Sequence, residues 1–382
     1  MRIRSTVLIG SALAAAVALT PFAANATTKK SVAKSSVATT TLKGVCPATL
    51  VVQTDWFPEA EHGMLYQLLG SDYKVDTGKK VVTGSLINAK GLKTGINLEI
   101  RTGGPAIGFQ GPSAVMATDK SINIGYSYNS EANNWAKTPL ISVMAPLEKN
   151  PQIIMWDPAT YPTAKTIDDL AKLGVTFNLF SKDTMLFFKA DGRVDDKLLD
   201  PSYDGGPARF IAAKGKIAQQ GFASAEPYSY QYDFKEWGKP VAFQTFFDAG
   251  YQDYSQTLGV RPDDLAKLRP CLKKFIPMVQ QATIDFISSP ARTNAIIVDA
   301  VAQYKDFWKY SPDLAAFSVK TQKELGLVGN GPDKTVGNFD FARLKKHLDL
   351  MVKTGTFKGI PAGFTVETQY TNEFIDPKIG FK

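Results

Sequence analysis

An aspartate, two aromatic rings and an imidazole fall close together in the stretch DWFPEAEH, as Asp55, Trp56, Phe57 and His62. Aromatic faces stack on flat rings, a carboxylate accepts hydrogen bonds from amino or imino groups, and an imidazole can stack or donate. More such residues follow: the Gly103-Gly104 turn, Tyr126 and Tyr128, then Asn178 and Ser181, and finally Glu226 and Tyr228. Together they suit a flat heterocycle held between rings, with Glu226 the best single hydrogen-bond acceptor. An anion would instead seek backbone amides and helix N-termini, which GGPAIGFQGPS offers. Each residue also has a plainer reading. Trp56 and Phe57 fit as core aromatics, His62 as a surface residue or a prop for its loop, Glu226 as an exposed acid before Pro227, and Tyr228 as packing at a hinge.

The elements that position these residues are strand ends. The apolar run ATLVVQT predicts a buried strand ending at Asp55. Pro58 favours an extended Phe57 and can open a helix. Glu59 and Glu61 then fall in a first turn, where acids oppose the helix dipole. Met64, Leu65, Leu68 and Leu69 form that helix's apolar face, and Gly70 is a fitting stop. INLEIRTGG predicts a second strand ending at the glycines, 109–118 a helix, and SINIGYSY a third strand. Strand, helix, strand, helix, strand predicts a parallel sheet with right-handed crossovers, and ligands bind off the carboxyl ends of such strands.

The chain has 382 residues, too many for one compact core, so two lobes are expected. TIDDLAKLG, with a Thr166 cap and a Gly174 stop, predicts a helix, and VTFNLF and IAQQGFASAEPY predict strands of the second lobe. SQTLGV returns the chain to the first lobe. Residues 263–355 read as mainly helical, with Leu265, Leu268, Leu272, Phe275, Ile276 and Val279 at core spacing. The expected division is 45–145 with 250–382 as lobe one and 146–249 as lobe two, an α/β clamshell with a hinge and an interlobe cleft. Residues 71–95 are polar and rich in Gly and Lys, and read as an insertion, a small hairpin.

Arg2 and Arg4, the apolar run VLIGSALAAAVAL and the small residues Ala24 and Ala26 fit a secretory signal over 1–26. The Ser/Thr/Lys-rich 27–44 reads as a disordered linker. An extracytoplasmic location, periplasmic or at the cell surface, is therefore expected. Net charge is +8, but the basic residues are scattered, so a nucleic-acid partner is not expected. Cys46 and Cys271 are the only cysteines, and in an exported chain they either pair as one disulfide or stay as two buried thiols. With two cysteines and two histidines, a structural zinc site is not expected. There is no nucleophile elbow and no metal-ligand cluster, and no cofactor is expected.

DWFPEAEHGMLY resembles the opening motif of the thiamine-precursor-binding proteins related to the fungal pyrimidine synthases. GGPAIGFQ, INIGYSYNSEA, GKIAQQGFASAEPY and YTNEFID match further along, in the same order. The ordered set covers most of the chain from about residue 48. These proteins are substrate-binding components of ABC importers, alongside binders of riboflavin, nitrate and alkylsulfonates. The resemblance implies a type II periplasmic-binding-protein fold, a monomer that closes on a small heterocycle, and delivery to an ABC permease. A nitrate or alkylsulfonate binder is the alternative, and an exported enzyme a more distant one. The fungal synthases use the histidine matching His62, but also carry a clustered-Cys motif and a Gly-rich phosphate turn. Here NLFSKDTM stands in place of that turn, where Ser181 and Lys182 could still meet an anion. Catalysis is therefore not expected.

Overall fold

The computed structural model describes residues 41–180 and 185–382, which lie within one compact unit, Thr39–Lys382. The signal over 1–26, most of the 27–44 linker, and Ser181 and Lys182 lie outside the described residues. The folded body starts earlier than 45. Leu42 is fully buried in the core, and its amide donates to Thr94 O at 2.9 Å.

A seven-stranded sheet forms the first lobe. Its strands are β1 (Thr49–Gln53), β2 (Lys74–Asp76), β3 (Val81–Ile87), β4 (Lys93–Arg101), β5 (Ile124–Ser127), β6 (Ile141–Met144) and β12 (Thr257–Val260), the last returning from far along the chain. The order is β2-β3-β4-β1-β5-β12-β6. β1 lies at the centre, parallel to β4 and β5, as the alternating pattern predicts. Its Leu50, Val51 and Val52 are buried, since a central parallel strand is covered on both faces. The 71–95 segment forms the expected hairpin, β2 with β3, but not as a separate appendage. Its β2 and β3 extend the sheet edge antiparallel to β4, which begins at Lys93 rather than Ile96. Asp76 Oδ1 caps the first of the two turns by accepting the amides of Gly78 and Lys79.

The second sheet has five strands in the order β11-β7-β10-β8-β9. They are β7 (Gln152–Trp156), β8 (Phe177–Asn178), β9 (Leu199–Asp200), β10 (Ala218–Phe222) and β11 (Ala242–Thr245). The helix Ile167–Lys172 between β7 and β8 has the predicted Thr166 cap, whose hydroxyl accepts the Asp169 amide. Two segments join the sheets, β6 to β7 and β11 to β12. Asn150 in one donates to Asp253 in the other at 2.8 Å. Arg343 binds both, donating to Glu148 O at 2.8 Å and to Asp253 O at 2.6 Å.

The long helix Pro262–Ser288 packs on the first sheet. Leu268, Leu272, Phe275, Ile276 and Val279 are buried there, each worth roughly 1.5–3 kcal/mol relative to exposure. Cys271 sits on this helix, beyond its second turn, and is bonded to Cys46, with the Cα atoms 4.7 Å apart. The bridge fastens the segment entering β1 to the helix behind it. The C-terminal region does not stay wholly with the first lobe. Met351 and Phe357 are buried in the core of the second sheet, beside Phe177 and Phe188. Among the described residues no helix is long and apolar enough to cross a membrane.

Candidate ligand-binding cleft

The residues after β1 and the glycines after β4 hold each other. Gly103 N donates to Trp56 O at 2.9 Å and Gly104 N to Asp55 O at 2.8 Å. Thr54 Oγ1 lies 2.9 Å from Arg101 O and 3.0 Å from Trp56 O. The approach is close enough to require glycine at both positions. A Cβ at Gly103 would stand 2.3 Å from the Asp55 carbonyl carbon, and one at Gly104, where φ is +58°, 2.7 Å from Trp56 Cε3. This has a chemical consequence. Both amides are spent on backbone carbonyls, so the turn does not offer them to an anion.

The carboxyl ends of β1, β4 and β5 face those of β8, β9 and β10 across a cavity of about 450 Å³, a volume suited to a small organic molecule. From the first lobe come Asp55, Trp56, Glu59, Gly104 and Tyr128, joined by Phe109, Gln256 and Trp308. The second lobe supplies Phe180, Tyr203, Gly205, Phe222 and Glu226. Trp56 is the centre of the aromatic lining. Its ring lies 6.1 Å from Phe109, 6.0 Å from Trp308 and, across the cleft, 5.6 Å from Phe180.

Asp55 is the polar centre, and its oxygens are already engaged. Oδ1 accepts from His62 Nε2 at 2.8 Å, while Oδ2 accepts from Gln256 Nε2 at 2.9 Å and from the Tyr128 hydroxyl. Burial works to raise the Asp55 carboxyl, but these donors and the His62 charge bring it below its ordinary value. Glu226 differs. Its Oε2 accepts the Phe222 amide at 2.6 Å and its Oε1 the Tyr203 hydroxyl at 3.2 Å, yet burial pushes it up to about 7. Glu59, only 4% exposed, accepts no hydrogen bond from the described residues, and His62 Nε2 lies 3.9 Å from its Oε1. Burial, with the like charges of Glu61, Asp55 and Glu226, holds its carboxyl well above the ordinary range.

Of the residues singled out from sequence, Asp55, Trp56, Gly104, Tyr128 and Glu226 are brought together on this cavity. Others are not. Phe57 is fully buried, stacked on Trp308 at 6.3 Å. His62 is fully buried against Tyr126 and meets Asp55 on the side away from the lining. Tyr126 is core, its hydroxyl 3.4 Å from Glu61 O. Gly103 shapes the turn without lining the cavity. Asn178 is buried and donates to Ser202 Oγ at 3.0 Å. Tyr228 packs on Phe317 and Tyr232, 5.4 and 4.9 Å away. Ser181 lies outside the described residues.

Sequence reading missed Glu59, Phe109, Phe180, Tyr203, Gln256 and Trp308. Phe109 and Phe180 belong to stretches already singled out, so strand-end position was the available signal. Trp308 and Gln256 have no local signal at all. The first helix is also shorter than predicted, Gly63–Gln67 after a tight turn at Ala60–His62. Glu59 and Glu61 therefore do not sit in an exposed first turn. Glu61 is buried and receives Gln322 Nε2 at 3.1 Å and the Ser224 hydroxyl from the end of β10.

No protein-family model matches the sequence, and no curated protein matches it. Solved structures do resemble it. The alkanesulfonate-binding protein of Xanthomonas axonopodis pv. citri bound to MOPS has a TM-score of 0.53 at 12% identity, over 85% of this chain and 99% of its own. The periplasmic aliphatic sulphonate binding protein of Escherichia coli has a TM-score of 0.52 at 14% identity, over 85% and 92%. The periplasmic nitrate-binding protein of Synechocystis PCC 6803 has a TM-score of 0.50 at 12% identity, over 84% of each chain. The architecture is thus a type II periplasmic-binding-protein fold, with two lobes, two connecting segments and a cleft between them.

Proposed function

We propose that the protein is the extracytoplasmic solute-binding component of an ABC importer, and that it captures a small aromatic heterocycle of the thiamine-pyrimidine-precursor kind. The lobes close on the ligand, which shifts an open–closed equilibrium, and a membrane permease receives the closed form. The protein acts as a monomer and without catalysis. The observation that carries this reading is the lining. Trp56, Tyr128, Phe180 and Trp308 offer ring faces from several directions, while Glu59 and Glu226 offer acceptors to ring amino groups.

The fold neighbours include binders of sulfonates and nitrate, which keeps an anionic ligand in view. Two observations weigh against it here. Among the described residues no Lys or Arg lines the cavity, and the Gly103 and Gly104 amides are bonded to backbone. An enzyme has less support still, because His62 is buried behind Asp55 rather than presented to a substrate.

The test is mass spectrometry of small molecules released from freshly purified, denatured protein. A thermal-shift panel of pyrimidines, riboflavin, taurine and nitrate would run beside it. A released or stabilising pyrimidine or flavin is expected. Stabilisation by nitrate or taurine alone would overturn the heterocycle reading.

A further inference from the structure

The charge of the cleft is one-sided. Asp55, Glu59, Glu226 and Asp204 line it, and among the described residues no basic side chain does. Asp55 is satisfied where it stands, by hydrogen bonds with His62, Tyr128 and Gln256. Glu226 is satisfied by a backbone amide and a tyrosine hydroxyl. Glu59 is not. It is nine-tenths buried, lines the cavity, and among the described residues nothing donates a hydrogen bond to it. A buried carboxylate without donors is costly unless something supplies them. The rings beside it are cation-accepting. Trp56 and Trp308 are both on the lining, and a desolvated cation is drawn to the face of such rings.

We infer that the cleft selects for a small organic cation, with the positive nitrogen of the ligand placed against the Glu59 carboxylate and the Trp56 ring. This rests on the solute-binding reading and narrows its ligand class. The cation is organic rather than a metal ion. Seven aromatic rings line the wall, and among the described residues no cluster of metal-ligating side chains is found. Glu59, ionised when the cation docks against it, supplies the charge, the rings supply shape and cation attraction, and Asp55 with its three donors holds the wall rigid.

The test compares charged and uncharged isosteres by titration calorimetry on the exported chain. One pair is the aminomethyl derivative of an aminopyrimidine, charged at neutral pH, against its hydroxymethyl derivative. The other is choline against its uncharged carbon isostere dimethylbutanol. The charged member should bind at least about tenfold more tightly. Glu59→Gln, which keeps the shape, should cut that ratio to less than about twofold. An uncharged pyrimidine that binds as well as its charged partner would overturn the cation inference and leave the heterocycle reading standing. Discrimination within the choline pair, with neither pyrimidine bound, would support the cation and overturn the heterocycle. If no charged compound binds, or if only nitrate or methanesulfonate does, the inference fails. The ratio in the unaltered protein decides the matter even if the variant folds poorly.

Discussion

Gly104 stands against Trp56 so closely that a single methyl group at Gly104 would lie 2.7 Å from the indole Cε3. The indole is thus held from below by a backbone turn and at its sides by Phe109, Trp308 and Phe180. Gly104→Ala should displace the ring and strain a residue at φ +58°, costing about 1–3 kcal/mol of stability. Ligand affinity should fall at least about tenfold. Gly91→Ala is the control. Its φ is +73° with nothing within 4 Å, so it should lose some stability and leave affinity unchanged. Thermal melts and calorimetry on the two variants separate backbone strain from ring displacement.

Trp56→Ala removes an aromatic wall of the cavity in the first lobe, and Glu226→Gln turns an acceptor oxygen of the second lobe into a donor. Each should weaken binding of the heterocycle by more than about 1.4 kcal/mol, a factor of ten. Unchanged affinity in both would show that the ligand sits elsewhere. Tyr228→Phe, on a residue outside the lining, should have little effect.

The buried acids make stability fall as pH rises. Burial holds Glu131, Glu148 and Glu226 up to about 7, above an ordinary 4.5. Between those values the folded protein binds more protons than the unfolded chain, so their contribution is lost as pH climbs towards about 7. Asp55 runs the other way. Its carboxyl is below the ordinary 3.8, so its contribution is lost only in stronger acid. The unliganded protein should therefore melt a few degrees lower at about pH 8 than at about pH 5.5, as read by calorimetry. Glu226→Gln should flatten part of that slope. A slope of opposite sign would refute the assignment.

Arg343 clamps the two segments that join the lobes. It donates to Glu148 O at 2.8 Å, Glu148 Oε1 at 3.0 Å, Gln252 O at 3.0 Å and Asp253 O at 2.6 Å. Arg343→Ala would leave Glu148 without its ion pair, in a partly buried place, at a cost of about 3–5 kcal/mol. The melting temperature should drop sharply. Arg343→Lys should recover little, because one ammonium cannot reach carbonyls on both segments at once.

Much of the first lobe was legible in the sequence because it depends on local rules. The apolar runs before Asp55 and Gly103 became β1 and β4, parallel as predicted, and the two glycines mark a turn that only glycine permits. Two cysteines, in a chain whose sequence reads as exported, allowed the bridge now seen between Cys46 and Cys271. Residue type also marked Trp56, Tyr128 and Glu226 as fit for a cleft. Which side chains reach it was decided by tertiary structure. His62 has the chemistry of a ligand contact, yet it is buried against Asp55 and Tyr126 and does not line the cavity. Glu59 carries no sequence mark beyond its place in a presumed helix turn, but the tight turn at Ala60–His62 buries it facing the cavity. Trp308 and Gln256 arrive from segments far along the chain. Local propensity fixes where a strand ends. Packing across hundreds of residues decides which polar groups are left without partners, and those are the groups a ligand must satisfy.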